Sequence, residues 1–261
     1  MKSASPIAFA FALALVLCSP VSALDTRSGT RIFYTSNAMA EIISPGGLRV
    51  LIDVYRPSLL SSPAKDSDIL LTTHTHPDHW NGVFKREFPG KQLFDQTGII
   101  QQGDLRITGI ASSHSDTESG PESGGSNYFF LIETGGLRIA HLGDVGQSKL
   151  TGAQLEALGK VDVLITQFDN GYSDMGAQNG KGFNLVGQIK PALVLPTHNS
   201  DAALRRQSTE YSCVFSPKPY VTISPDLLRE EGERAGKPLM LVIGDGYAKR
   251  AATCQAAGAD W

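Results

Sequence analysis

Three histidines and one aspartate are packed into the run His74-Thr75-His76-Pro77-Asp78-His79. Imidazole nitrogens and a carboxylate are ligands that suit divalent transition metals of the zinc type. Because the 261-residue chain has only six histidines, a cluster of this kind arises by chance with a probability on the order of 10⁻⁴. A turn at Pro77 can aim alternate side chains at two neighbouring points, whereas a straight strand sends them to opposite faces. The run therefore predicts a metal site, and one loop could serve two metals.

Three residues of metal-ligand type, His114, Asp144 and His198, each come shortly after a predicted strand. Taken singly, each has an ordinary structural interpretation, as a loop histidine, a turn aspartate and a packed histidine. A fourth residue, His141, lies inside an apolar strand and is interpreted as a core residue or a support for the ligands rather than as a ligand. The order and strand-end placement of the set are more specific than any one motif.

The histidine-rich run and the residues that follow it resemble the metallo-β-lactamase superfamily in order, spacing and strand-end placement. The resemblance covers nearly all of the chain after residue 23 and implies an α/β fold, a four-layer αββα sandwich with a binuclear metal site at one edge. It also implies two sets of metal ligands joined by a bridging carboxylate. The first set is His74, His76 and His114, the second is Asp78, His79 and His198, and the bridge is Asp144.

Within the superfamily, the chain is most similar to the branch that includes the ascorbate-phosphate lactonase and N-acyl phosphatidylethanolamine phospholipase D. The similarity lies in the opening hairpin into Ile52-Asp53 and in the runs 136–144 and 191–198. Asp53 is similar to an aspartate that braces the site in this superfamily, so it is expected to be structural. β-Lactamases generally carry a cysteine or serine around the place of Asp144, which disfavours β-lactam hydrolysis.

Two divalent cations held close together would lower the pKa of a shared water and polarise the carbonyl or phosphoryl oxygen under attack. Asp78 is expected to orient that water and to accept its proton. The sequence thus predicts a hydrolase of a small-molecule ester, lactone or phosphodiester. Zinc is the expected metal, and manganese or iron also suit histidine and aspartate ligands. The stretches 115–126 and 169–174 match no known substrate pocket, so the substrate stays open.

Three other functions stay open at this point. A β-lactam hydrolase is compatible with an exported protein. A di-iron binding or redox protein on the same fold is a second alternative, although such relatives have a carboxylate in place of one histidine of the first loop and usually carry a flavin domain. The third alternative is a chain that keeps the fold and has lost the activity.

Apolar runs of strand length alternate with helical segments and predict one layered α/β domain over 24–261. Strands are predicted over 31–34, 38–44, 48–54, 68–73, 105–110, 128–134, 137–142, 161–166, 192–195 and 239–243. Helices are predicted over 83–88, 151–159 and 183–190, and after residue 224. The second helix opens with the capping box Thr151-Gly152-Ala153-Gln154. Ser224 is the predicted N-cap of the last helix, and Pro225 occupies its first position.

The first 23 residues have the pattern of a secretory signal peptide, with Lys2, an apolar run over 7–18 and the small residues Val21-Ser22-Ala23. The apolar run of about 12 residues is shorter than the ~20 that a spanning helix needs. The mature chain is therefore expected to lack a membrane span and to be periplasmic or secreted. Cleavage leaves Cys213 and Cys254, which either form a disulfide or stay as two buried thiols.

The composition excludes several classes of protein. With 41% hydrophobic and 19% charged residues, the chain has the balance of a globular protein rather than that of a disordered one. A formal net charge of −3 offers no basic field to attract a phosphate backbone, so no nucleic-acid partner is expected. The sequence indicates a small-molecule substrate as partner and leaves the oligomeric state open.

Overall fold

A computed structural model describes residues 29–116, 126–216, 218–235 and 237–243. The predicted signal peptide, most of the stretch 115–126 and the C-terminal tail with Cys254 lie outside the described residues. Cys213 is buried, and the disulfide stays a prediction because its partner is not described. No helix in the described ranges is both long and apolar enough to cross a membrane.

The first of two sheets has six strands, of which the last in chain order sits at one edge. In spatial order they are β13 (Tyr220–Ile223), β1 (Thr30–Ser36), β2 (Met39–Ile43), β3 (Arg49–Ile52), β4 (Ile69–Thr72) and β5 (Lys91–Phe94). β1 pairs antiparallel with both β13 and β2, and β2 pairs antiparallel with β3 across the turn at 45–47. β3, β4 and β5 are parallel.

The second sheet has eight strands. In spatial order they are β12 (Ser212–Ser216), β14 (Leu239–Ile243), β11 (Leu193–Thr197), β10 (Val163–Gln167), β9 (Leu137–His141), β8 (Asn127–Thr134), β7 (Leu105–Ser112) and β6 (Gly98–Gln102). The strands from β6 to β9 are antiparallel, and those from β9 to β12 are parallel. Gly135 and Gly136 join β8 to β9 with φ of 57° and 75°, the positive values that a two-residue type I′ hairpin turn requires.

Within the residues that the structure describes, five α-helices connect or flank the strands. They are α1 (Gly82–Glu87), α2 (Gly152–Leu158), α3 (Lys181–Ile189), α4 (Asp201–Glu210) and α5 (Pro225–Ala235). The predicted capping box at α2 is confirmed, since Thr151 and Gln154 each accept a backbone hydrogen bond from the other. Ser224 accepts a hydrogen bond from the Leu227 N–H at 3.2 Å, which starts α5 as predicted.

Strands β8, β10, β11 and β14 of the second sheet are buried on both faces, and successive side chains point to opposite layers. In β8, Phe130 belongs to the core between the two sheets, while Phe129 packs with Phe183 of α3 in the cluster on the outer face. On the outer face of the first sheet, Leu70 packs with Phe84 of α1. The order of layers is helix, sheet, sheet, helices, which confirms the predicted αββα sandwich.

The loops that form the candidate site leave the same edge of the sandwich. β3 and β4 run in one direction within the first sheet, and β9, β10 and β11 run in one direction within the second. β7 has the direction of β9, because the antiparallel β8 lies between them. The carboxyl ends of these strands therefore place six loops side by side.

The predicted elements are observed with small shifts. The strand predicted over 48–54 ends at Ile52, because Asp53 has φ of 51° and leaves the extended region. The helix predicted from residue 183 begins at Lys181. Five observed elements were not predicted, namely β5, β6, β12, β13 and α4. They are short strands of mixed polarity and one helix that is mostly polar.

Candidate metal centre

The histidine-rich run leaves β4 and folds back on itself. The His79 N–H donates to the His76 carbonyl at 2.9 Å and closes a tight turn. As a result, the centre of the His74 ring lies 4.5 Å from that of His76 and 4.0 Å from that of His79. A continued strand would have separated these side chains, so the turn is what brings them to one place.

Later loops supply the remaining predicted residues, and the structure brings all seven together. The groups whose potential ligand atoms lie within 4.8 Å of one another are His74, His76 and His114; Asp78, His79 and His198; and His74, His79 and Asp144. The first two groups coincide with the two sets that the sequence predicted. The third places Asp144 against a member of each set.

Asp144 faces both groups, with a different oxygen turned toward each. Its Oδ1 lies 3.2 Å from His79 Nε2 and 3.2 Å from His198 Nε2. Its Oδ2 lies 3.8 Å from His114 Nε2 and 4.0 Å from His74 Nε2. This is the arrangement in which one carboxylate can offer one oxygen to each of two cations.

The ligand atoms are buried and converge without satisfying one another. Among the described residues, no hydrogen-bond partner reaches the buried Nε2 atoms of His74, His79 and His198 or Oδ1 of Asp144. The short approaches to Asp144 lack hydrogen-bonding geometry. Buried polar atoms in native proteins normally have partners. A set of buried nitrogen and oxygen atoms that all face one space therefore fits cation binding.

The charges of the site favour a cation. Burial alone would raise the pKa of Asp144, but His198 and His79 hold it well below its usual range. Burial alone would lower the pKa of His79, whereas the carboxylates of Asp53 and Asp144 raise it to about 10. Burial and the neighbouring His79 lower the pKa of His74 to about 3. The carboxylates thus stay ionised and attract positive charge to this point.

Asp53 supports the first loop from beneath. Its Oδ1 accepts the Thr73 N–H at 2.8 Å, and its Oδ2 accepts the Thr73 hydroxyl and the His79 Nδ1–H, each at 2.8 Å. Since the Thr73 hydroxyl donates to Asp53, it accepts from His74 Nδ1 at 3.0 Å. When a cation replaces the proton on Nε2, both imidazoles would thereby be held in the tautomer that turns the Nε2 lone pair toward the site. This geometry agrees with the structural role expected of Asp53.

His141 is buried within β9, and both of its ring nitrogens have partners. Its Nδ1 accepts the Gly143 N–H at 3.2 Å, and its Nε2 donates to the Ala38 carbonyl at 2.9 Å. Burial lowers the pKa of His141, although Asp53 opposes this shift. A neutral imidazole with both nitrogens occupied has no lone pair for a metal, which agrees with its interpretation as a core residue.

Asp78 lies at the opening of the site, with 40% of its side chain exposed. Its Oδ2 accepts a hydrogen bond from Asn37 Nδ2 at 3.2 Å and lies 3.9 Å from His79 Nε2. Asn37 stands at the turn between β1 and β2 with φ of 50°. The sequence analysis did not identify Asn37, because the contact joins residues 41 positions apart.

A second residue missed by the sequence analysis is Asn170, in the stretch 169–174 that matched no known pocket. Its side-chain amide donates to Asp144 Oδ2 at 2.7 Å and to Gln167 Oε1 at 2.8 Å. Gln167 in turn donates to the Val145 carbonyl and to Ser173 Oγ, each at 2.7 Å. Asn170 therefore orients the carboxylate that faces both groups of ligands. The only sign of it in the sequence was that the stretch 169–174 matched no known substrate pocket.

Lys181, at the start of α3, joins three of the loops. Its Nζ donates to the Gly146 carbonyl at 3.0 Å and contacts Asp174 Oδ2 and Asp116 Oδ2, each at 2.9 Å. Asp116 also accepts the Ser148 N–H at 2.6 Å. We call this set of contacts the Lys181 clamp. It ties together the loops that carry His114, Asp144 and Asn170.

Known protein sequences are similar to this chain over the part that holds the candidate ligands. Residues 31–198 match a family model described as a beta-lactamase superfamily domain. A metal-dependent hydrolase from Anaeromyxobacter sp. (strain K) is 26% identical over 210 residues, which is 66% of this chain and 75% of that protein. A metal-dependent hydrolase from Thermococcus onnurineus is 25% identical over 192 residues, which is 64% of this chain and 84% of that protein.

Solved structures share the fold. A Thermotoga maritima protein assigned to the metallo-β-lactamase superfamily as a Zn-dependent hydrolase superimposes with a TM-score of 0.58 at 20% identity, over 82% of this chain and 98% of that one. A metallo hydrolase from Ignicoccus hospitalis superimposes with a TM-score of 0.50 at 16% identity, over 83% of this chain and 95% of that one. The family model covers well over half of the chain and includes all seven candidate ligands. The chain belongs to the metallo-β-lactamase superfamily.

Proposed function

We propose that this chain, a metal-dependent hydrolase by its family and relatives, binds two divalent cations and hydrolyses a small-molecule ester, lactone or phosphodiester. The observation that carries the proposal is Asp144, whose two oxygens face two separate groups of potential ligands. Seven ligands are too many for one tetrahedral centre and suffice for two.

The residues divide between the two positions in the order that the sequence predicted. His74, His76 and His114 would hold one cation, Asp78, His79 and His198 the other, and Asp144 would bridge them. When bound, such cations lower the pKa of water toward neutrality and polarise the oxygen of the group under attack. Zinc is the proposed metal because imidazole and carboxylate ligands suit it, and the same ligands also accept manganese or iron.

The side chains around these positions prepare the reaction. Asp53 and Thr73 fix the tautomers of His79 and His74, so that each Nε2 is available. Asn170 holds Oδ2 of Asp144 in place. Asp78 is the half-exposed carboxylate at the opening, and Asn37 fixes one of its oxygens. We assign to Asp78 the orientation of the attacking water and the acceptance of its proton.

Export completes the proposal. The pattern over residues 1–23 supports cleavage after Ala23 and a periplasmic or secreted mature protein. The similarity to the branch of the ascorbate-phosphate lactonase and the phospholipase D supports carbonyl esters, lactones and phosphodiesters as the substrates to examine first. Intact-mass measurement of the exported protein tests the cleavage, and retention of residues 1–23 would contradict it.

Metal content and activity are measured on the same purified protein. After chelation and reconstitution with zinc, elemental analysis should give two ions per chain, and a stoichiometry at or below one would overturn the binuclear site. His198→Ala should lower metal content and activity, whereas His141→Gln, a matched control in β9, should keep most of the metal. A panel of chromogenic esters, lactones, phosphodiesters and a β-lactam then identifies the reaction. Hydrolysis of the β-lactam alone would overturn the proposed substrate class.

A further inference from the structure

A cavity of about 300 Å³ opens against His198 at the edge of the candidate metal centre. The turn between β1 and β2 forms one wall, and the residues that follow β10 and β11 form the other. The lining residues are Tyr34, Thr35, Ser36, Asn37, Asp169, His198 and Asn199. A larger groove of about 840 Å³ beside α1 is lined by none of the seven candidate ligands. Of these two cavities, the smaller one adjoins the candidate metal centre and could receive the part of a substrate that does not react.

The wall of this cavity carries one fixed negative charge. The Asp169 N–H donates to the His198 carbonyl at 2.7 Å, which sets the residue directly beside the centre. One oxygen of Asp169 accepts the hydroxyl of Ser200, and Ser200 Oγ is itself held by the Ala203 N–H at the start of α4. The lining residues include no lysine or arginine. The cavity thus presents a positioned carboxylate with no basic side chain among its lining residues.

The polar hydrogens of the lining are largely directed at the protein. The Tyr34 hydroxyl donates to the Asn37 carbonyl at 2.8 Å, and Asn37 Nδ2 donates to Asp78 at 3.2 Å. Asn199 Nδ2 donates to Gln207 Oε1 at 2.9 Å. A carboxylate has about four lone-pair sites, of which Ser200 uses one. The fixed charge that the described lining residues offer a ligand is therefore that of Asp169, which acts beside the positive charge of a cation held by His198.

We propose that this cavity selects substrates whose non-reacting part is cationic, with Asp169 as the residue that determines the specificity. The proposal rests on the proposed hydrolase function and narrows its substrate class to esters or lactones that carry an ammonium group. A substrate with a carboxylate or phosphate at this position would be repelled by Asp169. Asp169 does not touch the reacting bond, so its charge should act on KM more than on kcat.

Acetylthiocholine and 3,3-dimethylbutyl thioacetate test the proposed preference for a cationic substrate, because they share their size and reacting group and differ in one positive charge. We expect wild type to show a KM about fivefold lower for acetylthiocholine, the modest effect of a partly exposed ion pair. Asp169→Asn should remove that difference, because it should raise the KM for acetylthiocholine more than the KM for the neutral thioester. Asp66→Asn, at an exposed and remote position, should keep the preference. Added salt should weaken the preference in wild type.

The outcomes separate this inference from the function on which it rests. Suppose that both thioesters are hydrolysed. If wild type then shows no KM preference for acetylthiocholine, or if Asp169→Asn retains the preference, the proposed specificity is wrong and the proposed hydrolase function is unaffected. If neither thioester is hydrolysed, thioesters are not substrates, and the specificity is tested by binding alone. Binding of choline and of 3,3-dimethylbutanol is then measured by NMR titration. Choline bound at least about fivefold more weakly by Asp169→Asn supports the inference, and equal binding overturns it.

Discussion

The two sides of the metal centre are held by supports of opposite character. On the side of the first sheet, a fully buried carboxylate, Asp53, binds Thr73 and His79 with three short hydrogen bonds. On the side of the second sheet, Lys181 joins Asp116 and Asp174, whose side chains are 44% and 77% exposed. Breaking a buried charged contact costs about 3–5 kcal/mol, whereas an exposed ion pair contributes about 0–1 kcal/mol.

The two sides of the site are therefore expected to differ in how firmly their loops are held. The loop with His74, His76 and His79 is set by a buried support, so we expect it to keep its geometry under most conditions. The loops with His114, Asp144 and Asn170 are joined near the surface, so we expect them to respond to salt, acid and mutation. Substitutions on each side test this comparison.

Asp144→Asn should have the largest effect, because this residue joins the two sides. The neutral amide keeps the size of the side chain, but it loses the negative charge and keeps only one of the two oxygens that face the two groups. We expect kcat to fall at least about tenfold with an ester or phosphodiester substrate, and excess metal to restore it only in part. Steady-state kinetics and elemental analysis measure both effects. A wild-type rate with two metals bound would show that the bridging role is wrong.

Asp53→Ala should have the next largest effect, and mainly on stability. The substitution leaves the Thr73 N–H and the His79 Nδ1–H buried without their acceptor. We expect the free energy of unfolding to fall by about 3–5 kcal/mol in urea titrations. Asp66→Asn, at an exposed position, is the control and should change it by less than about 0.5 kcal/mol. A loss below about 1 kcal/mol for Asp53→Ala would remove the contrast between the two sides.

Lys181→Met should have a smaller effect on stability and a measurable one on activity. Burial alone would lower the pKa of Lys181, but its hydrogen bonds to Asp174 and Asp116 raise it, so the side chain is charged at neutral pH. We expect a loss of about 1–2 kcal/mol, since the Gly146 carbonyl loses its donor, and a several-fold lower kcat/KM with the metal content unchanged. Lys181→Arg should recover part of the activity. Equal activity of wild type and Lys181→Met would disprove the positioning role.

The smallest effect is the pH dependence of the clamp. Burial alone would raise the pKa of Asp116, but hydrogen bonds from Ser148 and Lys181 together lower it below its usual 3.8. A carboxylate whose pKa is lowered on folding stabilises the fold at a pH above its pKa in the unfolded state. This contribution is lost as the pH falls through its pKa in the folded state. The difference in Tm between wild type and Lys181→Met should therefore be constant above about pH 5 and shrink below about pH 4. A difference that grows in acid would contradict the clamp.

Part of this site could be predicted from the sequence because its chemistry is local. The run from His74 to His79 places four side chains of metal-ligand type within one turn, and a turn needs no distant partner to bring them together. The caps at Thr151 and Ser224 were predicted for the same reason, since a cap is a contact between residues three positions apart. The other candidate ligands were implied by the resemblance to the metallo-β-lactamase superfamily, and each of them follows a predicted strand.

The supports and the cavity could not be predicted, because they depend on contacts between distant parts of the chain. Asn37 reaches Asp78 across 41 positions, Asn170 reaches Asp144 across 26, and Lys181 reaches Gly146 across 35. Asparagine, lysine and aspartate are common on any surface, so their types alone carry no signal of these contacts. The strand β13 was missed for a similar reason, since it pairs with β1 at the opposite end of the chain.

The sequence by itself thus determined which residues could bind metal and which strands would deliver them, since residue type and hydrophobic period are properties of short segments. Only the tertiary structure decided how the ligands are oriented, which side of the site is buried, and that Asp169 faces the cavity beside His198. Those properties depend on the packing of two sheets and on loops that meet from different strands, and no single segment encodes that packing.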